Sequence, residues 1–292
     1  MCGIVGYVGN KEAAPVILDG LRHLEYRGYD SAGMTVLNRG QLSTCKRKGR
    51  IVDGLSKLLE QTPLSGSLGV GHTRWATHGE PSDRNSHPHH DQSGRISIVH
   101  NGVLENFESL REKLATQGHQ FKSETDTEVL AHLIGACYEK QNGGSDGVHP
   151  LTGAVMMALR QVIGTYGIAV VCSDFSGLMV GARRGSPLIV GVGGGEHFLA
   201  SDASAIVAHT RQVAYLNDYD VATVEADRFD VKTSGRTRRE FRSVGSSTVP
   251  RPLRRGLFPT SCSRKSMSNR RPCATRCADE LTWRSRRPGL AG

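Results

Sequence analysis

The chain begins MCGIVG, which places Cys2 directly after the initiator methionine. Removal of Met1, which the small side chain of Cys2 should allow, would make Cys2 the N-terminal residue. Its α-amine, with an unperturbed pKa of about 7.7–8.0, would then be a general base beside the thiol. A nucleophile and a base within one residue require no separate histidine. The sequence therefore predicts a candidate nucleophile at Cys2.

Four further segments place polar residues in turns or at the ends of predicted strands and helices. They are RGYDSAG at 27–33, GHTRWATHG at 71–79, HNG at 100–102 and SETDTE at 123–128. Arginine, amide and carboxylate side chains in such segments could bind a substrate that carries charges of both signs.

Each of these residues also has a purely structural interpretation. Arg74 on a strand could form a surface ion pair, and Asp126 could cap a helix. Asn101-Gly102 is a sequence typical of a hairpin turn, and Trp75 could pack in the core. These alternatives remain open for each residue considered alone.

In order and spacing, the cysteine and the four segments resemble the glutaminase domain of the N-terminal-nucleophile amidotransferases. Within that group, RGYDSAG and GHTRWATHG are most similar to the glutamine–fructose-6-phosphate aminotransferase family. The resemblance covers roughly residues 1–231, including GARRGSPLIVGVG and ASDASAIVAHTRQVAYL. It implies an α+β fold, a four-layer αββα sandwich of the N-terminal nucleophile hydrolase type, and it implies no cofactor.

The resemblance also implies roles in catalysis. Cys2 would attack the carboxamide of L-glutamine to give a thioester, which water would hydrolyse to glutamate. The side chain of Asn101 and the backbone N–H of Gly102 would form the oxyanion hole. Arg27 would support the nucleophile end of the site.

Two charged residues are implied to anchor the substrate. Arg74 would bind the α-carboxylate of glutamine and Asp126 its α-ammonium group. A loop that closes over bound glutamine would exclude water. Its implied members are Trp75, Thr77, His78 and His87.

Other residues are assigned no chemistry. His89 and His90, next to His87, are expected to be solvated, and no carboxylate or cysteine arrangement supports a metal site there. Three of the seven cysteines, at 45, 137 and 172, lie in apolar segments and are predicted to be buried thiols.

Apolar spacing predicts a dense alternation of strands and helices up to residue 230. Predicted strands are 2–8, 32–37, 42–46, 68–75, 96–104, 166–171, 178–182, 188–192, 213–216 and 221–225. Predicted helices are 13–26, 51–60, 105–117, 126–141 and 152–163. A polar loop spans 77–94. The pattern favours antiparallel sheets covered by helices.

Charge is distributed unevenly along the 292 residues. The net charge of the whole chain is +9, but residues 231–292 carry +13 and residues 1–230 carry −4. The basic character therefore belongs to the tail, and no specific nucleic-acid partner is expected. No apolar run reaches the ~18 residues of a membrane span, and no signal peptide is recognisable, so a cytoplasmic location is expected.

The tail, 232–292, is rich in Arg, Ser and Pro and is predicted to be disordered. We interpret it as an out-of-frame translation. Shifting the reading frame by one base allows PTSCSRKSMSNRRPCATRC to be re-read as HFMLKEIHEQPEALRDAL, which resembles the family's continuation. The frame change would fall near residues 233–236. A genuine basic tail is the alternative, and sequencing the coding DNA distinguishes the two.

The family's sugar-isomerase half, which binds fructose 6-phosphate, has no counterpart in the printed sequence. Glutamine is therefore the expected partner of this chain, with fructose 6-phosphate a partner only of the full-length enzyme. The family forms homodimers, and the sequence does not report the state of this chain. The alternative function is a catalytically dead fragment or basic binding module.

Overall fold

Thirteen strands make up more than half of the regular secondary structure in a computed structural model that describes residues 2–75, 79–141 and 147–233. The strands are β1 (Gly3–Val8), β2 (Ser31–Asn38), β3 (Gln41–Lys48), β4 (Leu68–Arg74), β5 (His89–His90), β6 (Ile96–Leu104), β7 (Gly164–Cys172), β8 (Leu178–Arg184), β9 (Ile189–Val192), β10 (His197–Ala200), β11 (Val213–Tyr215), β12 (Asp220–Glu225) and β13 (Phe229–Thr233). The α-helices are α1 (Ala13–His23), α2 (Lys57–Gln61), α3 (Phe107–Ala115), α4 (Asp126–Glu139) and α5 (Pro150–Leu159).

The strands form two antiparallel sheets. The first has the order β11-β9-β10-β1-β4-β2-β3, and the second has the order β13-β12-β8-β7-β6-β5. Helix α1 packs on the outer face of the first sheet, where Ile17 and Leu21 are completely buried. Helices α3, α4 and α5 cover the second sheet. The predicted α+β architecture of antiparallel sheets covered by helices is confirmed.

Besides the apolar side chains between helices and sheets, a further apolar cluster fills the space between the two sheets. Because side chains alternate across a strand, the inner positions of each strand are two residues apart. The inner positions that matter for the site are Ile4 and Val8 of β1, Leu68 and Val70 of β4, and Val99 of β6. This apolar layer joins the two sheets.

The same alternation places polar residues on the inner faces at one end of the sandwich. By this alternation, His72 and Arg74 of β4 and Asn101 of β6 lie on inner faces, and Cys2, just before β1, continues the inner positions of that strand. In the β1–β4 register Ile4 lies opposite His72, so Cys2 comes next to Arg74. The apolar layer therefore gives way to a polar end between the sheets.

The structure differs from the predicted elements at several places. Strands β5, β10 and β13 were not predicted, and β5 lies within the predicted polar loop. The predicted helix 51–60 begins with a π-helical turn, Val52–Ser56, before α2. Helix α1 ends at His23, and a 3-10 turn follows at Glu25–Arg27.

The three thiols predicted to be buried, Cys45, Cys137 and Cys172, are buried. Strand β13 crosses the predicted start of the tail and ends at Thr233. The rest of the predicted tail lies outside the described residues. Within the described part of the chain, no helix is both long and apolar enough to cross a membrane.

Candidate active site

A cavity of about 310 Å³ opens at the polar end of the sandwich. Among the residues that line it are six of those predicted from the sequence to act in one site: Cys2, Arg27, Arg74, Asn101, Gly102 and Asp126. Trp75 and His87, from the predicted loop, line it as well. The six predicted residues, which are spread from position 2 to position 126 of the chain, therefore meet where the inner faces of the sheets end.

Cys2 is held by the backbone of Trp75. The N–H of Trp75 donates to the Cys2 sulfur at 3.2 Å, and the thiol is 3.5 Å from the Trp75 carbonyl oxygen. Burial raises the pKa of the Cys2 thiol, while the Trp75 N–H and the nearby Arg74 oppose the shift. The thiol is therefore protonated near neutral pH, and it needs a base to become a nucleophile.

Asn101 and Gly102 lie within β6, not in the hairpin turn that their sequence would also allow. The Asn101 side-chain NH2 group donates to the carbonyl oxygen of Cys2 at 3.1 Å, so this amide lies next to the candidate nucleophile. Gly102 has a φ of +140°, and a Cβ there would collide with the Thr165 carbonyl oxygen. Only glycine fits this backbone conformation and this close approach.

Arg74 is buried, with 4% of its surface exposed, so the interpretation as a surface ion pair is wrong. It donates to the Gly79 carbonyl oxygen at 3.1 Å. Burial lowers the pKa of Arg74, and the negative charges of Asp30 and Asp126 act against this shift. The guanidinium remains charged at neutral pH and lines the cavity, where it can bind an anion.

Asp126 is the first residue of α4, but it is not the helix cap. Thr125 is the cap, since its hydroxyl accepts the Glu128 N–H at 3.2 Å. The Asp126 carboxylate instead accepts the N–H of Leu104 at 3.0 Å, which fixes it at the cavity wall. Arg74 and Asp126 thus place charges of opposite sign on the cavity wall.

Arg27 is buried at the end of the 3-10 turn. It forms an ion pair with Asp202 at 3.0 Å and donates to the Ser201 carbonyl oxygen at 3.4 Å. Ser201 in turn is bonded through its backbone N–H and its hydroxyl to Ile4 of β1. Arg27 therefore joins the 3-10 turn to the segment after β10, which Ser201 joins to β1 beside Cys2.

The predicted closing loop is described in part. Trp75 is 44% exposed at the cavity mouth and contacts Tyr29 edge-on at 5.3 Å between ring centroids, so its interpretation as core packing is wrong. His87 is buried and stacks on His72 at 4.1 Å. The predictions for Thr77 and His78 fall outside the described residues.

The expectation that His89 and His90 are solvated is wrong. His89 is 3% exposed and lies 3.1 Å from the Thr125 hydroxyl. His90 is half-buried and bonds the Thr44 hydroxyl at 2.8 Å. Burial lowers the pKa of both imidazoles, that of His90 to about 4, so both are neutral at pH 7.

Several residues of the cavity were not predicted. His100, which shares a segment with Asn101, bonds the Thr127 hydroxyl at 3.0 Å. The other unpredicted wall residues are Val103, Thr125, Thr127, Ser186 and Pro187. His100, Thr125 and Thr127 could have been predicted, because they belong to the HNG and SETDTE segments. Ser186 and Pro187 lie within GARRGSPLIVGVG, a segment that carries the family resemblance but was given no role in the site.

Gly28 permits the close approach of the 3-10 turn to the strand end that holds Cys2. A Cβ at Gly28 would lie 2.8 Å from the Arg74 carbonyl carbon and 3.0 Å from the Trp75 nitrogen. Both contacts are with backbone, which cannot rotate away.

We expect Gly28→Ala to lower the activity of this site by about 10²-fold, because it displaces the Trp75 N–H that holds the Cys2 sulfur. The matched control is Gly177→Ala, where a Cβ meets no atom within 4 Å. Steady-state rates of the two purified variants test this. Equal activity of Gly28→Ala and Gly177→Ala would show that the close approach is unimportant.

Comparison with solved structures identifies the fold. The glutamine phosphoribosylpyrophosphate amidotransferase of B. subtilis, solved with ADP and GMP, superposes with a TM-score of 0.67. The match covers 81% of this chain and 50% of that one, at 24% sequence identity. It confirms the sandwich of the N-terminal nucleophile type.

Sequence comparison gives nearer relatives. The glutamine–fructose-6-phosphate aminotransferase (isomerizing) of Chlorobaculum tepidum is 51% identical over 236 residues, 80% of this chain and 37% of the relative. The Streptomyces coelicolor protein of the same name is 50% identical over 236 residues, with the same shares of the two chains. This chain thus spans little more than a third of the length of these relatives.

A family profile decides the assignment. The profile described as "Glutamine amidotransferase domain" matches residues 59–237, more than half of the chain. This region contains Arg74, Asn101, Gly102 and Asp126. The chain therefore belongs to the glutamine amidotransferase domain family.

Proposed function

We propose that this chain hydrolyses L-glutamine to glutamate and ammonia, with Cys2 as the nucleophile once Met1 has been removed. The observation that carries the proposal is the convergence of a thiol, an amide donor and two opposite charges on one cavity of about 310 Å³. That volume lies in the range of small-molecule sites.

The charges of the cavity suit the ends of glutamine. Arg74 would bind the α-carboxylate through the planar donors of its guanidinium. Asp126 would bind the α-ammonium group. With both ends of the amino acid fixed, the side-chain carboxamide would be directed to Cys2, which is a positional advantage for the reaction.

The reaction would begin with proton transfer from the Cys2 thiol to the free α-amine of the same residue. The thiolate would then attack the carboxamide carbon, and the negative charge on its oxygen would be stabilised by the Asn101 NH2 group and the Gly102 N–H. The α-ammonium of Cys2 would return the proton to the leaving nitrogen, which departs as ammonia. Water, activated by the same amine, would hydrolyse the thioester to glutamate and regenerate the thiol.

The environment of Cys2 supports this use of the α-amine. Burial raises the thiol pKa, so the thiol needs a base, and the α-amine of the same residue, with an ordinary pKa of about 7.7–8.0, would be the nearest one. The neighbouring imidazoles of His72 and His87 have lowered pKa values because they are buried, which makes them weak bases at pH 7.

When ammonia is to be transferred to an acceptor substrate, the site must exclude bulk water, into which the ammonia would otherwise escape. We assign this role to the segment that begins at Trp75 and includes Thr77, His78 and His87, as the family resemblance implies. Arg27 supports the nucleophile end through its ties to Ser201 and Asp202.

The acceptor named in the relatives is fructose 6-phosphate. We propose that the amidotransferase domain, residues 1–231, serves that acceptor when it is joined to a sugar-isomerase half. The chain described here would itself release free ammonia.

The experiment is an assay of glutamate and ammonia released by purified protein whose Met1 is shown by mass spectrometry to be absent. We expect glutamine to be hydrolysed, and asparagine, one methylene shorter, to react about 10–200-fold more slowly. Absence of glutamate release from glutamine would refute the proposal and would favour the binding module that the basic tail also suggests.

A further inference from the structure

His72 is completely buried on the inner face of β4 and is not part of the cavity wall. We propose that His72 is a positioning residue, which fixes the side-chain amide of Asn101 with its NH2 group toward Cys2 and the cavity. The inference rests on the proposed function in one respect, namely that Asn101 stabilises an oxyanion.

The contact spans the two sheets. Nε2 of His72, in the first sheet, lies 3.0 Å from Oδ1 of Asn101 in the second sheet. The same nitrogen lies 3.1 Å from the backbone carbonyl oxygen of His100. His72 and Asn101 therefore meet between the sheets, where neither group can exchange its partner for bulk water.

The backbone carbonyl of His100 determines the direction of the hydrogen bonds. A carbonyl oxygen only accepts, so Nε2 of His72 must carry a proton and donate. Because Nε2 donates, the Asn101 amide must turn its oxygen, and not its nitrogen, toward His72.

A second backbone carbonyl fixes the other end of the Asn101 amide. The Asn101 nitrogen lies 3.1 Å from the carbonyl oxygen of Cys2, which also only accepts. The flipped amide would place two donors against each other at His72 and two acceptors against each other at Cys2. Both mismatches would leave buried polar groups unsatisfied, which disfavours the flipped amide.

The protonation state of His72 agrees with this geometry. Burial lowers the pKa of His72 to about 3, so the ring is neutral at physiological pH and has only one proton. The Asn101 bond and the His100 carbonyl oppose this shift but are outweighed by burial. Nδ1 of His72 has no hydrogen-bond partner among the described residues. The ring of His87 packs against the ring of His72, with 4.1 Å between their centroids. The single proton therefore stays on Nε2.

The consequence is catalytic. If Asn101 turned over, its carbonyl oxygen would replace a donor beside the carbon under attack, and repulsion would replace stabilisation of the oxyanion. His72 prevents this without contacting the substrate, since it is not part of the cavity wall. Loss of His72 should act on kcat, while KM for glutamine, which depends on Arg74 and Asp126, should change little.

The matched variants are His72→Gln, which keeps a donor at similar reach, and His72→Met, which has similar length and no donor. We expect His72→Met to lower kcat by about 10²-fold with KM within about threefold, and His72→Gln to recover at least a tenth of the native kcat. In an Asn101→Ala background, His72→Met should have less than a threefold effect.

Loss by the same factor in the native and Asn101→Ala backgrounds would overturn the inference, since it would show a general structural role. Unchanged kcat in His72→Met would overturn it as well. Wild-type protein without glutaminase activity would refute the proposed function instead, so the two failures are distinguishable.

A measurement on the unmodified protein covers the case in which His72→Met does not fold. Nitrogen NMR of labelled histidine should show His72 as the neutral Nε2–H tautomer between pH 5 and about 8. Detection of the Nδ1–H tautomer, or of a charged ring at pH 6, would overturn the inference.

Discussion

Replacement of Cys2 by alanine should lower kcat for glutamine hydrolysis by about 10⁴-fold or more, because a covalent mechanism has no substitute for its nucleophile. The fold should be retained, since Cys2 is only half-buried and lies before the first strand. Thermal unfolding and glutamate release, measured on the same preparation, separate the two effects.

The matched control for this change is Cys45→Ala. Cys45 is also a free thiol, but it is buried on β3, and its sulfur contacts the Thr62 carbonyl oxygen at 3.7 Å. It lies outside the cavity, so its variant should keep native kcat. Substantial hydrolysis by Cys2→Ala, with Cys45→Ala equally active, would exclude Cys2 as the nucleophile.

The second large effect is expected at Arg74. Its replacement by alanine should lower kcat/KM for glutamine by about 30- to 5,000-fold, which corresponds to the 2–5 kcal/mol typical of breaking a buried charge pair. Most of the loss should be in KM, because the α-carboxylate does not change charge during the reaction. Arg74→Lys keeps the charge without the planar fork and should be intermediate.

A modified substrate distinguishes binding of the carboxylate from a structural role, since Arg74 also bonds the Gly79 carbonyl oxygen. The α-amide of L-glutamine has no carboxylate, so native protein and Arg74→Ala should hydrolyse it at similar rates. A loss with this substrate as large as with glutamine would assign Arg74 a structural role. Arg228→Ala removes an exposed arginine paired with Glu225 and serves as the neutral control.

The sequence was sufficient to predict the strands that carry the site. Strands β4 and β6 were predicted within one residue of their observed ends, because each begins with apolar residues at alternate positions, Leu68 and Val70 in β4 and Ile96 and Ile98 in β6. Strands β5 and β10 were missed because they have two and four residues, which is too short for a pattern. Their positions depend on pairing with β6, and with β1 and β9, respectively.

Single-residue alternatives could be decided only by tertiary contacts. Nothing in the local sequence tells whether Asp126 or Thr125 caps α4, or whether Arg74 faces solvent or the second sheet. The same limit explains the error at His89, whose polar segment looks solvated although Thr125 and the second sheet enclose it. His72 belongs to the segment GHTRWATHG, but its role depends on a residue 29 positions away.

Activation of the Cys2 thiol by its own free α-amine can be measured by intact-mass spectrometry. The protein, in a preparation that contains chains with and chains without Met1, is treated with 6-diazo-5-oxo-norleucine, a glutamine-like electrophile. We expect the label on Cys2 only in chains that lack Met1. Equal labelling of chains that retain Met1 would contradict it.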